Sequence, residues 1–314
     1  MLPANMHKLT AGEISVIAQR SRDSFMTCAK QMMIDNDLGQ ALIDIYVPLA
    51  ACLAEQTSEC GETRVIGVNG AQGSGKTTLC RLLQIVLEEG FAKRVATFSI
   101  DDIYLTHAER ETLANHVHPL LQTRGVPGTH DVALGLQLLS CLRSLAEGET
   151  IKVPVFDKSI DDRAPEKDFR QVAGPIDLVL FEGWCVGARP QREQALAAPV
   201  NSLERLEDTT QVWRRYVNQQ LGRDYARLFG EIDFLIMLQI PGMSSVVEWR
   251  SKQGRKLAEL SGRDGHRVMD ATALQRFIMH YERLTRATLA EMPDRADLVL
   301  KLNRQQQIDS VQIR

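Results

Sequence analysis

The sequence predicts an α/β protein, a parallel sheet flanked by helices, and three observations point there. Short β-rich apolar runs recur from residue 61 onward, and longer helical stretches separate them, as crossovers between parallel strands require. The first run, RVIGVN, is followed at once by the glycine-rich stretch GAQGSGKTT.

In AGEISVIAQRSRDSFMTCAKQMM and ALIDIYVPLAACLAEQ the apolar positions recur at spacings of three and four, so residues 1–60 are expected to form a helical extension. Its role is left open between covering a sheet face, enlarging a ligand pocket and self-association. Residues 61–314 form the main unit, with strands expected at 64–69, 94–100, 177–183, 233–240 and 296–302. Four of these are nearly continuous in apolar residues, the pattern of strands covered on both faces. Helices are expected at 76–89, 131–147, 201–221, 243–260 and 270–291. The stretch TIKVPVFDKS (150–159) is too short for a crossover unit and predicts a small hairpin over the sheet. Residues 107–131 read as a long, turn-rich connection of the kind that often carries function.

Bulk composition narrows the class. The 314 residues suit one large domain with an extension. Thirty-seven Lys and Arg against forty Asp and Glu give a formal charge of −3, without the basic stripe that a nucleic-acid partner requires. Six scattered cysteines lack C-x-x-C spacing and read as free thiols, not a zinc site or disulfide frame. No stretch approaches the roughly 20 apolar residues of a membrane span, so a cytoplasmic protein without a membrane partner is expected.

The chemistry begins at residue 70. Gly70, Ala71, Gln72, Gly73, Ser74, Gly75, Lys76 and Thr77 fit G-x-x-x-x-G-K-[ST] after a strand and opening a helix, with Thr78 next in line. Glycines let successive backbone N–H groups converge on phosphate oxygens, and the helix adds its positive end. Lys76 would reach the β- and γ-phosphates of ATP, and Thr77 would offer its hydroxyl to Mg²⁺. The stretch resembles the phosphate loop of the P-loop NTPase fold, which is therefore expected here. Glu182, ending the run DLVLFEG, stands where an acid would hold Mg²⁺ or its water. In FSIDDIYLT, Asp101 is the candidate base for an attacking hydroxyl, its neighbour Asp102 pointing elsewhere.

Together GAQGSGKTT, SIDDIYL, HPLLQTRGVPGTHD, VPVFDKSIDDRAP and VLFEGW resemble the D-glycerate 3-kinase family, a branch of the P-loop kinases that also contains the uridine kinases, phosphoribulokinases and pantothenate kinases. The resemblance covers residues 61–302, and RGVPGTHD is its most specific part. It implies a five-stranded parallel sheet in the order 2-3-1-4-5, with ATP at the carboxyl edge and the base at Asp101. It also implies transfer of a phosphoryl group from Mg·ATP to a primary hydroxyl of D-glycerate. Arg124 and Arg163, and less strongly Lys158, are candidates for the acceptor carboxylate, with Tyr104 and His130 lining the pocket. Arg250, with Lys252 and Arg255, falls where the superfamily carries a lid; Trp249 reads as a packing anchor and Asn303 as a candidate adenine contact. His266, in a turn, is no convincing ligand. Two other readings stand beside this one. One is a uridine or pantothenate type of kinase; the other is a regulatory nucleotide-binding protein docked through its N-terminal helices. The oligomeric state is not written in the sequence.

Overall fold

The computed structural model describes residues 6–34, 38–58, 62–261 and 270–314, the side chains of Ser58 and 253–261 excepted. Ten strands are found there: β1 (Arg64–Gly70), β2 (Val95–Ser99), β3 (Thr150–Val153), β4 (Phe156–Asp157), β5 (Asp162–Arg163), β6 (Arg170–Ala173), β7 (Leu178–Gly183), β8 (Phe234–Gln239), β9 (Leu298–Leu302) and β10 (Ile308–Ile313). The main sheet runs β10-β9-β8-β1-β7-β2. Its five parallel strands are those expected, with β1 central between β7 and β8. The sheet is nevertheless six-stranded, not five-stranded: β10 pairs antiparallel with β9 and adds an edge that the sequence reading lacked. Its residues are mostly half-buried or exposed, so it has none of the apolar continuity that marks the inner strands.

Alternate side chains of the inner strands feed two cores. Ile66, Val68, Leu178 and Leu180 face one layer, where they share a cluster with Leu79, Leu82 and Leu83 of the phosphate-loop helix and with Phe25, Leu42, Leu49 and Leu53 of the N-terminal helices. The Ala11–Gln31 and Gly39–Ser58 helices therefore cover one sheet face. The second of them passes through a π-helical turn at Leu42–Tyr46. Val65, Val179 and Phe181 face the opposite layer, packed by the Val132–Ser144, Val212–Leu221, Asp224–Gly230 and Ala271–Glu291 helices. Here Phe98 stacks on Phe181 at 5.0 Å.

Three connections differ from expectation. Residues 107–131 hold a helix, His107–His116, started by a capping box between Thr106 and Glu109, then a short 3-10 turn. The expected helix over 201–221 is broken into Ser202–Glu207 and Val212–Leu221. Between them the buried Asp208 accepts hydrogen bonds from the backbone N–H groups of Trp213 and Arg214 and from the Arg214 guanidinium. The small hairpin is instead two ribbons: β3 pairs with β6, and β4 with β5.

Candidate active site

Parallel register brings the chemistry to one edge. Val68 of β1 pairs with Glu182 of β7, and Glu182 with Ser99 of β2, so the loops that follow all three strands open on the same side. After β1 the chain turns through Gly75 at φ +91°, a conformation that glycine adopts without strain, and enters the Lys76–Ile85 helix. A Cβ at Gly75 would meet nothing within 4 Å, so the glycine answers to backbone conformation while the space above it stays open. Lys76 Nζ donates to the Ala71 carbonyl at 3.3 Å, and the Thr77 hydroxyl donates to Glu182 Oε1 at 2.8 Å. The Ser74 hydroxyl is buried without a hydrogen-bond partner. A concave turn with an unsatisfied buried hydroxyl, a lysine and the start of a ten-residue helix fits a phosphate group. A hydroxyl beside one carboxylate fits Mg²⁺, which takes few protein ligands and keeps phosphate and water for the rest. Asn69, buried at the end of β1, donates to the carbonyls of Trp184 and Val186 and pins the chain beyond Glu182.

The acidic pair follows β2 on a 3-10 turn, Ile100–Ile103, capped by Ser99. The two carboxylates diverge. Asp102 accepts from the Ser99 N–H and from Arg170, both at 3.0 Å. Asp101 accepts from the Tyr104 hydroxyl at 2.7 Å and from Lys158 Nζ at 2.6 Å. Burial pushes Asp102 up to about 6, Arg170 only partly opposing it. Burial also works to raise Asp101, but the Lys158 and Lys76 charges and the hydrogen bonds from Lys158 and Tyr104 outweigh it and hold that carboxyl at about 2.

Around Asp101 stands a wall of aromatic and basic groups. Tyr104 forms a β-bridge with His130 and stacks on its ring at 4.7 Å. The buried Tyr225 hydroxyl accepts from the Gly128 N–H at 2.9 Å and lies 2.6 Å from His130 Nδ1. This pattern assigns the Tyr225 proton to Nδ1 and leaves the imidazole proton on Nε2. Burial pulls His130 down to about 3, so it is neutral, and its Nε2 is buried without a partner. Arg124 pairs with Asp161 and lies over the Phe156 ring, 5.4 Å from the centroid. Arg163 donates to the Tyr104 carbonyl at 3.1 Å and stands 3.6 Å from Asp131. Gly125, at φ +125°, sits so close beneath Tyr281 that a Cβ there would come within 2.2 Å of its hydroxyl.

On the far side, the Met243–Ser261 helix lays Trp249 into the core, with its Nε1 donating to the Arg304 carbonyl at 3.0 Å. Arg250 lies over the Phe277 ring at 5.4 Å. Burial lowers its pKa while the Asp101 charge works the other way, which puts Arg250 in the same electrostatic neighbourhood as Asp101. Lys252 is exposed. The Arg255 side chain and His266 lie outside the described residues. Asn303 shapes the β9–β10 turn, its Oδ1 accepting from the N–H groups of Gln305 and Gln307. From that turn Gln306 Nε2 reaches the Gly73 carbonyl at 2.6 Å.

Comparison with known proteins follows the same residues. The phosphoribulokinase/uridine kinase family profile matches residues 65–188, the stretch from β1 through the segment after Glu182. The uncharacterized kinase mug58 of Schizosaccharomyces pombe is 34% identical over 241 residues, covering 73% of this chain and 82% of that protein. The chain belongs to the phosphoribulokinase/uridine kinase family. Within that family the expected likeness to D-glycerate 3-kinases is borne out. The chloroplastic D-glycerate 3-kinase of Arabidopsis thaliana is 33% identical over 225 residues, 69% of this chain; the match spans 46% of the plant protein's length. The structure of D-glycerate 3-kinase from Cryptococcus neoformans superposes with a TM-score of 0.71 at 29% identity, covering 86% of this chain and 97% of that one.

Sequence reasoning missed several groups that build the site of this P-loop kinase. Arg110, 1% exposed, donates to the carbonyls of Leu105, Gln122 and Asp161 and pairs with the Asp161 carboxylate at 3.0 Å. Trp184 donates to the Gly125 carbonyl at 2.8 Å, and Tyr281 to that of Arg124 at 2.9 Å. Only Trp184 left a signal, directly after FEG; Arg110 reaches one nearby carbonyl, Leu105, but its other carbonyl partners and that of Tyr281 lie 12 to 157 positions away. The five described cysteines, Cys28, Cys52, Cys80, Cys141 and Cys185, are free; Cys60 lies outside the described residues. Among the described residues no helix is long and apolar enough to cross a membrane.

Proposed function

We infer that this P-loop kinase transfers the γ-phosphoryl group of ATP to the primary hydroxyl of D-glycerate, giving 3-phosphoglycerate. The observation that carries the reading is the Asp101 carboxylate, bracketed by Tyr104 and Lys158 at the carboxyl edge beside the phosphate loop. In the reaction the acceptor hydroxyl oxygen forms a bond to the γ-phosphorus. The bond from that phosphorus to its bridging oxygen breaks, and its electron pair leaves with ADP. The hydroxyl proton passes to Asp101.

The residues take distinct tasks. The 70–78 loop and helix start cradle the nucleotide phosphates, with Lys76 on the outer two. Thr77 and Glu182 would hold Mg²⁺, which supplies charge neutralisation on the phosphate oxygens. Arg250 balances the charge that develops during transfer. Arg124, Arg163 and Lys158, which stand beside Asp161, Asp131 and Asp101 in the structure, are the cations available to a hydroxy-acid carboxylate, and His130 offers a neutral Nε2–H donor to the acceptor. Phosphoryl transfer depends mostly on such positioning. A cytoplasmic location is consistent with the free thiols.

The D-glycerate 3-kinases among its relatives support this acceptor over uridine or pantothenate. A coupled ADP assay across hydroxy acids and nucleosides tests it. D-glycerate should give the largest kcat/KM, and Asp101→Asn should lower kcat by roughly 100- to 10,000-fold while ATP still binds. Uridine outperforming D-glycerate, or ADP release indifferent to any acceptor, would overturn the reading.

A further inference from the structure

Two of the candidate acceptor cations, Arg124 and Lys158, are held very differently. Arg124 is fixed: its partner Asp161 is also gripped by the buried Arg110, and its guanidinium rests on Phe156. Lys158 is not. It sits on the turn between β4 and β5, where Asp157 caps Ser159 through its N–H and hydroxyl at 2.8 and 2.6 Å, and its side chain is 60% exposed. An exposed lysine on a flexible four-carbon stem is weakly held by a single ion pair. Yet that pair, at 2.6 Å, covers one oxygen of the carboxylate that has to accept the hydroxyl proton. The other oxygen is taken by the Tyr104 hydroxyl. With the Lys158 ammonium at one oxygen and the Tyr104 phenol at the other, the carboxylate keeps free lone pairs but holds a proton weakly, as its depressed pKa also indicates.

We propose that Lys158 is a latch released by the acceptor's own carboxylate: an anionic hydroxy acid draws the ammonium off Asp101 and thereby bares the base, whereas a neutral alcohol leaves it covered. The idea rests on the acceptor reading above and deepens it, because it makes discrimination between anionic and neutral acceptors a property of the base as well as of binding. Removing the acceptor's carboxylate then costs more than the lost ion pair. Asp101 also stays masked.

Glycerol carries the same hydroxymethyl group as D-glycerate and lacks the carboxylate, so kcat/KM for the two acceptors tests the latch in wild type, Lys158→Gln and Lys158→Arg. In Lys158→Gln, kcat/KM for D-glycerate should fall while that for glycerol rises by about tenfold. Lys158→Arg should keep the wild-type ranking. A lysine that only binds carboxylate would leave glycerol turnover unchanged, and one that only supports the fold would lower both; either result, in an enzyme that turns over D-glycerate, overturns the latch alone. A wild type that prefers uridine to D-glycerate overturns the acceptor reading, and the latch with it, since a neutral acceptor would then react with Lys158 in place.

Discussion

At Asp101 three neighbours act on one carboxylate, and the result can be read in the stability of the protein as well as in its chemistry. The folded pKa, about 2, lies below the ordinary value of 3.8, so the charged form is favoured by folding. The associated stability is therefore fully present above the ordinary value and is lost as pH falls through about 2. Urea unfolding of wild type and Asp101→Asn should show it: a wild-type advantage on the order of 1 kcal/mol near neutrality, reduced by the exposure of Lys158, should vanish in strong acid. Asp101 was legible because SIDDIYL places two acids directly after a strand. Arg110 was not. Its carbonyl partners Gln122 and Asp161 lie 12 and 51 positions away, and no local pattern announces a cation that binds backbone oxygen.

Elements were legible in proportion to their burial. β7 and β8 declare themselves because nearly every residue in them is buried. β10 stayed hidden because polar residues interrupt its apolar ones and only Val311 is buried, unlike the other edge strand, β2. Its contribution to the site lies in the turn that joins it to β9, which touches the phosphate loop through Gln306. Gln306→Ala removes one hydrogen bond to Gly73 from an exposed side chain. It should change unfolding free energy by no more than about 1 kcal/mol while raising KM for ATP by about fivefold and sparing KM for the acceptor. Steady-state kinetics with each substrate varied in turn will separate these effects.

Across the whole molecule, the amphipathic N-terminal helices were readable as helices, but periodicity does not name the surface they cover. That surface is the sheet face behind the phosphate loop. Phe25 is wholly buried, packs edge-on to Tyr46 at 4.9 Å, and belongs to the same apolar cluster as Ile66 and Leu79. Phe25→Ala should cost about 3–5 kcal/mol, and circular dichroism should show one cooperative transition at a lower temperature, with nucleotide protection lost together with the helices. Independent melting of the helices would show that they are a dispensable cover.

The buried Arg110 carries a consequence for engineering. Since one guanidinium ties together the start of the 107–116 helix, the approach to RGVPG and the tip of the β4–β5 ribbon, these pieces behave as a single cassette. Retargeting this kinase by exchanging one loop with a relative would tear that knot, so new acceptor preferences have to be grafted as three segments at once.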